Sequence, residues 1–432
     1  MKNSAPVIST TNGRDEAVKP AHYTIEPLRI SLLTRKLLRS KKLTRLFILS
    51  RRRVVQMTST ADLPPDAVAG KVTLLNSERV NEEIPLFSNA DQAEKIAPRL
   101  GYIFPPIQIF KIKNAKVFGG SNRFLLRNQL VSHELFNLKT DLTLEELHRT
   151  LKFDVAQASA RKTLTDPHPV RFAQAACFTD AASSNYAHWI TEILVRIFLF
   201  QTHSSSAEIP LIVDDGLHSN MMRSLDVVVS PQSQIHHLPT NREADIDVLH
   251  HTSVAGYIRI EPREEPTPAH GKFSFSAIRG MVAHIKDRLG VRERSGVRRK
   301  IYAKRNSSYR NLVNAKAVES LLIAAGFEII EPEKMTFDEQ VDAFHSASVV
   351  VGPTGAAMAN IVFCQADCQV FILISNHPEM PYLYWQNLAS TGGLKVNYVL
   401  GECSPSLRQD LHTDFHIPLE ALRVLDNLKE SA

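Results

Sequence analysis

A histidine and a glutamate at helical spacing are the first candidates for chemistry. His188 and Glu192 lie four residues apart in the run NYAHWITE (185–192). Residues i and i+4 are neighbours on one face of a helix, so the spacing predicts either a histidine base oriented by a carboxylate or a carboxylate base steadied by a histidine. Arg196 continues the same face, and an ion-pair ladder is therefore the structural alternative. A metal would need a third ligand, and none lies nearby, so no metal is expected.

A loop of small residues is the second candidate. The run GPTGAAMAN (352–360) follows an apolar strand and opens a helix. Small side chains let backbone amides approach a ligand, and the N-terminus of a helix favours a phosphate or a carboxylate. The run is not G-x-G-x-x-G and lacks the lysine of a P-loop. A tight turn that packs the helix on a sheet is the alternative.

Two arginines follow the first strand of the same unit. Arg305 and Arg310 come just after the strand 300–303. Ligands of doubly wound sheets bind beyond the carboxyl ends of the strands, where a guanidinium fork would hold a diphosphate through paired hydrogen bonds. Surface solubility is the alternative for any single arginine. Lys304 has the alternating position and is expected to point elsewhere.

Other reactive side chains receive structural interpretations. The run DDG (214–216) follows a strand, where paired acids can hold a divalent metal, but an Asx turn uses the same residues and is favoured. Cys364 and Cys368 have no second pair and are expected to be buried free thiols. Four cysteines in 432 residues do not make a disulfide scaffold, so a reducing cytoplasm is the expected location.

The elements that must position these residues alternate between strand and helix. One helix is predicted to begin at Asn314, a good N-cap, and to end at Gly326. A second is predicted to begin at Thr336, which forms a capping box with Glu339. This β-α-β-α-β spacing predicts an α/β protein with a parallel, doubly wound sheet. The apolar segments and strands cover 72–75, 170–178, 209–213, 227–229, 300–303, 327–330, 348–351 and 370–374. Further helices cover 188–200 and 275–289, and a surface linker covers 261–272.

Length and charge divide the chain further. At about 100–200 residues per domain, 432 residues predict two folded domains. The start is polar and is not a signal peptide, and no apolar stretch approaches the roughly 20 residues that span a bilayer. The net charge of +6 is concentrated in nine Lys/Arg without an acid over 35–53. Because the rest of the chain is slightly acidic, a nucleic-acid partner is not expected.

The basic segment 28–53 mixes leucine, isoleucine and phenylalanine with its cations at roughly helical spacing. A basic amphipathic helix lies on anionic membranes, where each Lys or Arg near the surface contributes about 1 kcal/mol. A solvated helix packed on its own domain is the alternative. Residues 1–26 are polar and are expected to be disordered, and the run 61–66 (ADLPPD) is expected to end the helix.

Together these stretches resemble family 61 glycosyltransferases, particularly bacterial members linked to capsular or other surface polysaccharide synthesis. The resemblance is dense over 300–375, thinner over 170–300 and silent on the first 60 residues. Family members often have a histidine before the Gly-Ala pair, where this chain has Thr354. The matching blocks are NYAHWITE (185–192) with Arg196, IYAKR (301–305) with Arg310 and Asn314, GFEIIEP (326–332), FDEQ (337–340) and ASVVVGPTGAAMANIVF (347–363).

The resemblance implies a GT-B-like architecture of two Rossmann-like, doubly wound domains facing a cleft. With the charge pattern it divides the chain into a tail (1–60), an acceptor-side domain (61–272) and a nucleotide-sugar-binding domain (273–432). It implies inverting transfer from a nucleotide sugar to a polysaccharide, lipid-linked or other glycan acceptor, without an essential metal or other cofactor. His188 and Glu192 would activate the acceptor. The residues expected to bind the donor are Arg305, Arg310, Glu331, Thr354, Gly355, Ala356 and Asn360, with Glu331 at the ribose.

This interpretation places the enzyme in the cytoplasm, peripheral to the inner face of the plasma membrane. Two other classes compete with it. A Rossmann-type oxidoreductase would need G-x-G-x-x-G after a strand, and the sequence contains no such run. A non-catalytic glycan- or partner-binding protein would keep the fold without turning over a donor.

Overall fold

Two large sheets organise the chain. The computed structural model describes residues 52–97, 99–163, 169–203, 206–240, 242–263, 268, 270–292, 298–307, 309–404 and 411–429. The strands are β1 (Arg52–Ser59), β2 (Val68–Leu75), β3 (Glu78–Val80), β4 (Leu86–Phe87), β5 (Tyr102–Phe104), β6 (Ile107–Phe118), β7 (Phe124–Leu126), β8 (Gln129–Ser132), β9 (Asp141–Leu142), β10 (Leu151–Asp154), β11 (Ser159–Thr163), β12 (Val170–Cys177), β13 (Leu211–Asp214), β14 (Ile235–Leu238), β15 (Glu243–Thr252), β16 (Gly256–Tyr257), β17 (Glu261–Pro262), β18 (Lys272–Phe273), β19 (Arg299–Ala303), β20 (Glu328–Ile330), β21 (Ala347–Pro353), β22 (Gln369–Ser375), β23 (Val396–Cys403) and β24 (Phe415–His416).

The helices connect and cover these strands. The α-helices are α1 (Gln92–Lys95), α2 (Leu144–Leu147), α3 (Tyr186–His188 and Val195–Gln201, joined by the π-helical segment Trp189–Leu194), α4 (Ser219–Val228), α5 (Phe275–Arg288), α6 (Ala315–Ala324), α7 (Phe337–His345) and α8 (Tyr382–Ser390). The 3₁₀ helices are Thr60–Asp62, Pro65–Ala67, Pro332–Lys334, Ala356–Phe363 and Leu419–Lys429.

The sheet that follows α5 confirms the predicted doubly wound unit. Its strands lie in the order β20-β19-β21-β22-β23, and each neighbouring pair in that series is parallel. β21 and β22 are almost continuously apolar and buried, as parallel strands covered on both faces should be. The chain places β20 on one side of β19 and β21 on the other. The strand order therefore reverses between β19 and β21, and such a switch point forms a crevice for ligands.

The larger sheet of the described chain is mixed. Its order is β10-β11-β1-β8-β7-β6-β15-β12-β13-β14, with β2 paired to β6. β12, β13 and β14 are parallel and are joined by α3 and α4. β6 instead pairs antiparallel with β2, β7 and β15. The predicted doubly wound pattern therefore does not extend to the strands around β6, where the short connection 119–123 reverses the chain between β6 and β7, whereas a parallel pair needs a long crossover.

Several predicted boundaries change in the structure. The segment 227–229 ends α4 and is not a strand, because its valines continue the buried face of that helix. Arg52 and Arg53 belong to β1, so the folded chain begins before residue 61. The rest of β1 and Thr60 also come from the predicted tail, so the predicted basic helix does not extend to residue 53, and residues 1–51 lie outside the described residues. Asn314 occupies the N-cap of α6, but its side chain bonds the backbone of Ile417 instead of capping the helix.

One apolar core joins the two sheets. Trp189, Ile278, Ile301 and Phe363 belong to the same buried cluster, although they come from elements on either side of the predicted boundary at 272/273. Residues 51–432 form one compact unit. The division into two domains stays a prediction. Within the described ranges, no helix is long and apolar enough to cross a bilayer.

Candidate active site

The His188–Glu192 pair sits on a locally widened turn of α3. Asn185 caps the helix by accepting a hydrogen bond from the amide of Ala187 at 3.0 Å. The π-helical segment begins directly after His188, and such segments are frequent at functional sites. His188 Nδ1 contacts Glu192 Oε2, and the two side chains are only 13% and 12% exposed. The predicted i,i+4 contact is therefore confirmed.

Glu192 is held from two sides, whereas Arg196 has turned away. The second oxygen of Glu192 accepts a hydrogen bond from the amide of Ile258 at 2.7 Å. The guanidinium of buried Arg196 donates instead to the carbonyl of Thr252 and lies over the ring of Phe178. The alternative of an extended ion-pair ladder is therefore wrong, because Arg196 donates its hydrogen bonds to the carbonyl of Thr252 and not to Glu192.

Electrostatics make His188 a stronger base than a free imidazole. Burial disfavours its charged form and is the largest influence on its pKa, but the Glu192 carboxylate and then Asp180 outweigh burial. The pKa of His188 is therefore raised above 6.5. Because Nδ1 contacts Glu192, Nε2 is the ring nitrogen that remains to take a proton from a ligand.

The Asp214 carboxyl fixes the chain that follows β12. Asp214 accepts hydrogen bonds from the amides of Asp180 and Gly120 at 2.7 and 2.6 Å. The carboxylate of Asp215 accepts a hydrogen bond from the amide of Gly216, whose φ of 72° is typical of a tight turn. The structure thus confirms the turn interpretation, and Asp214 holds Asp180 near His188.

Asp214 gives a pH-dependent stability that can be measured. Burial raises its pKa to about 6, against an ordinary value of 3.8. The stabilisation from the protonated form is complete below pH 3.8 and is lost as the pH rises through 6. At about 1.36 kcal/mol per pKa unit, we expect the wild-type free energy of unfolding to fall by about 2–3 kcal/mol more between pH 4 and pH 7 than that of Asp214→Asn.

Urea unfolding at the two pH values measures this difference. Asp215→Asn is the matched control, because Asp215 is exposed, and it should keep the wild-type pH dependence. Identical pH profiles for the wild type and Asp214→Asn would show that the Asp214 carboxyl is not the titrating group.

The second part of the site lies at the switch point between β19 and β21. Arg305 follows β19, and Gly355 follows β21. A Cβ built on Gly355 would lie 2.0 Å from Arg305 Nη1, so the guanidinium rests directly on the glycine. The φ of Gly355 is 171°, an extended value, and glycine is therefore needed here for space. The structure brings the arginine and the small-residue loop together, as the sequence predicted.

The arginine is poised for an anion. Its Nη2 donates to the carbonyl of Tyr309 at 3.0 Å, but its buried Nε has no hydrogen-bond partner within the described chain. Burial and the nearby Arg310 lower the pKa of Arg305 to about 10. The side chain stays charged at neutral pH, and a bound anion would relieve both the desolvation and the repulsion.

Arg310 lies beside the same aromatic ring. The guanidinium carbons of Arg305 and Arg310 are 5.8 and 5.5 Å from the ring centroid of Tyr309. Arg310 has a φ of 53°, a left-handed conformation that costs energy for a residue with a side chain. Lys304 points away and pairs with Glu319, as expected. The two predicted arginines therefore converge on Tyr309, which is an additional candidate for ligand contact.

Two other predicted donor residues, Thr354 and Glu331, have partners within the protein, and a third, Ala356, offers its backbone. The Thr354 hydroxyl is buried and accepts a hydrogen bond from Trp385 Nε1 at 3.0 Å. Ala356 is half-buried and begins a 3₁₀ helix directly after Gly355. Glu331 follows β20, but its carboxylate pairs with Lys334 at 2.7 Å, and this pairing lowers the pKa of Glu331. The ribose role of Glu331 stays a prediction.

Asn360 lies between two polar neighbours inside the protein. Its side chain is fully buried, accepts from the Tyr186 hydroxyl at 2.7 Å and donates to Gln340 at 2.7 Å. Each end of the amide therefore has one partner within the protein, and the donor role of Asn360 stays a prediction. Asn360 fastens α3, just ahead of His188, to the helix that follows Gly355.

Tyr384 lies near both parts of the site, and no local pattern in the sequence marks it. Its ring packs on Phe273 and Trp385. Burial and the Glu192 carboxylate raise the pKa of Tyr384, while Arg310 opposes them. The hydroxyl is therefore within electrostatic reach of both the carboxylate of Glu192 and the cation of Arg310.

The remaining reactive side chains are two cysteines and the candidate metal ligands. Cys364 and Cys368 are buried free thiols, as predicted. In the described part of the chain, no group of three or more His, Cys, Asp or Glu side chains is arranged to hold a metal ion.

Comparison with known proteins supports a glycosyltransferase. Residues 186–371 match the family model described as Glycosyltransferase 61. The matched segment begins with α3 and ends within β22, so it contains both the His188–Glu192 pair and the Arg305–Gly355 contact. No curated protein matches the chain. The segment is thus similar to enzymes that act with a sugar donor and a glycan acceptor in general.

Proposed function

We propose that the protein is an inverting glycosyltransferase that moves a sugar from a nucleotide sugar to a polysaccharide, lipid-linked or other glycan acceptor. The observation that carries this proposal is Arg305, an incompletely paired cation resting on Gly355 at the switch point of a doubly wound sheet. Switch points of such sheets bind nucleotides, and arginine forks bind phosphates. The family match over the same elements supports it.

The donor diphosphate lies against Gly355 and Ala356 in this proposal. Arg305 and Arg310 neutralise the negative charge that develops on the leaving diphosphate, which is the largest electrostatic demand of the reaction. The Thr354 hydroxyl retains one proton to donate, because its contact with Trp385 uses an oxygen lone pair. The GT-B-like arrangement, the capsular class of acceptor and the cytoplasmic location are parts of the same proposal.

His188 is the base, and Glu192 orients it. Both oxygens of Glu192 already accept hydrogen bonds, and the carboxylate raises the basicity of the imidazole. The acceptor oxygen attacks C1 of the sugar, the bond from C1 to the diphosphate oxygen breaks, and the hydroxyl proton passes to Nε2 of His188. Attack opposite the leaving group inverts the configuration at C1.

A panel of nucleotide sugars tests the proposal. The purified full-length protein is incubated with each donor and with methyl glycosides of common hexoses and pentoses as soluble acceptors. We expect release of a nucleoside diphosphate with at least one donor and a glycoside of inverted configuration by NMR. Binding of a nucleotide sugar without release would favour the non-catalytic glycan- or partner-binding protein, and a product of retained configuration would refute inversion.

The basic segment 28–53 is proposed to hold the enzyme on anionic membranes. Its six cations over 35–45 would each contribute about 1 kcal/mol near such a surface, and salt screens this attraction within about 8 Å at physiological ionic strength. Replacing these six by glutamine in the full-length chain should abolish most co-sedimentation with phosphatidylglycerol vesicles. Phosphatidylcholine vesicles are the control. Equal sedimentation of both chains would favour the helix packed on its own domain.

A further inference from the structure

A small cavity adjoins the His188–Glu192 pair. It measures about 50 Å³, and its wall includes Asn122, His133 and Tyr257 as well as the pair itself. A water molecule occupies about 30 Å³ of liquid, and pockets for drug-sized ligands begin near 300 Å³. The cavity therefore suits a single hydroxyl-bearing group and not a sugar ring.

His133 presents unsatisfied polar atoms to this cavity. The residue is only 4% exposed, and neither ring nitrogen has a hydrogen-bond partner among the described residues. Asn122 Oδ1, on the same wall, has no partner among them either, although its Nδ2 donates to Asp180 at 2.7 Å. Buried polar groups without partners are rare and destabilising, so a fold retains them where a ligand satisfies them.

The surroundings keep the His133 ring in place and uncharged. Its ring packs edge-on against Tyr257 with centroids 4.6 Å apart. Burial and the cations of Arg123 and Arg196 hold the pKa of His133 well below 6.5. A neutral imidazole offers one donor and one acceptor. The complementary group is one that also donates and accepts, which is a hydroxyl.

A much larger cleft adjoins the cavity at Tyr257. It measures about 1290 Å³ and shares Tyr257 with the cavity wall. Tyr102, Phe136 and Tyr382 also line the cleft. The cleft has room for a glycan, whose terminal ring would lie at Tyr257 with its hydroxyls toward the pair.

We propose that His133 and Asn122 form a hydroxyl subsite for the acceptor, which binds the hydroxyl next to the one that attacks. The acceptor is then a sugar with two neighbouring hydroxyls, one at His188 and one at His133. This inference rests on the proposed function. His133 and Asn122 lie outside the segment that matches the family model.

Three variants of the full-length protein separate binding from packing. His133→Leu removes both ring nitrogens, and His133→Gln keeps a donor and an acceptor. His251→Leu is the matched control, because His251 is also buried with an unpartnered Nε2 among the described residues but does not line the cavity. Each is measured for thermal midpoint, for nucleoside-diphosphate affinity, and for KM toward the methyl glycoside that serves the wild type.

For His133→Leu we expect a thermal midpoint no lower than that of the wild type, since an unpaired polar group is lost. We also expect an acceptor KM raised about tenfold or more, with nucleotide affinity unchanged. His133→Gln should recover part of the acceptor affinity, and His251→Leu should keep the wild-type KM. A lowered midpoint with an unchanged KM would show that His133 is structural and would overturn the subsite.

A binding measurement keeps the subsite separate from the transferase proposal. The imidazole nitrogens of His133 are followed by ¹⁵N NMR while the same methyl glycosides, and their analogues lacking one hydroxyl of a neighbouring pair, are titrated. Shifts with the diols alone support the subsite even if no donor is turned over, in which case the transferase proposal fails by itself. Transfer activity without a His133 shift and without a change of KM in His133→Leu refutes the subsite alone. Absence of both shift and activity refutes both.

Discussion

Glu192→Gln is expected to lower the turnover of sugar transfer by about 10²–10⁴-fold and to move the acidic limb of its pH profile to lower pH. The carboxylate orients His188 and raises its pKa, so glutamine leaves a weaker base that loses its proton at lower pH. Nucleotide affinity should stay within about twofold, because acceptor activation acts mainly in the transition state. The measurement is kcat from about pH 5 to pH 9, together with calorimetry of nucleotide binding.

Two companion variants make this result specific. His188→Ala should lose turnover to a similar extent and should abolish the acidic limb altogether. Glu328→Gln is the control, because it removes the charge of a surface glutamate that pairs with Arg299, outside the proposed site. This variant should have the turnover and pH profile of the wild type. If Glu192→Gln kept its turnover and its pH profile, the base would have to be sought elsewhere in the site.

Arg305→Ala is expected to weaken nucleoside-diphosphate binding by about 1.5–3 kcal/mol, the usual range for hydrogen bonds to charged groups. Gly355→Ala should weaken it too, although every charge is retained, because a Cβ at that position would lie 2.0 Å from Arg305 Nη1 and would displace the guanidinium. Calorimetry on both variants measures the effect.

The control for this pair is Arg223→Ala, which removes an exposed arginine paired with Asp338. Its nucleotide affinity should equal that of the wild type. Circular dichroism establishes that the variants are folded. Unchanged nucleoside-diphosphate affinity in folded Arg305→Ala and Gly355→Ala would show that the diphosphate does not bind at the switch point.

The sequence predicted what local periodicity determines. The strands β19, β21 and β22 are short apolar runs separated by helical segments, so their parallel arrangement follows from spacing. The His188–Glu192 contact follows from the geometry of one helix turn. The meeting of Arg305 with Gly355 follows from the rule that ligands bind beyond the carboxyl ends of parallel strands.

What depends on distant chain segments could not be predicted. His133, Asn122 and Tyr257 reach the cavity from separate strands and loops, and no motif connects them. The small-residue loop contains Asn360, but no local pattern predicts its hydrogen bond with Tyr186, 174 positions away. The antiparallel pairing of β6 depends on which strands fold back by short connections, and hydropathy does not encode that choice.

The hydrogen bonds from Tyr186 through Asn360 to Gln340 have a consequence for how substrates are aligned. Tyr186 lies two residues before His188, the proposed base, and Asn360 lies five residues after Gly355, which the donor would contact in the same proposal. A completely buried amide with both ends satisfied resists rotation and sliding. In the proposed mechanism, the separation between His188 and the Gly355 loop is therefore established once, during folding, and is not adjusted in each catalytic cycle. Such a preformed frame reduces the reorganisation that an in-line displacement otherwise requires.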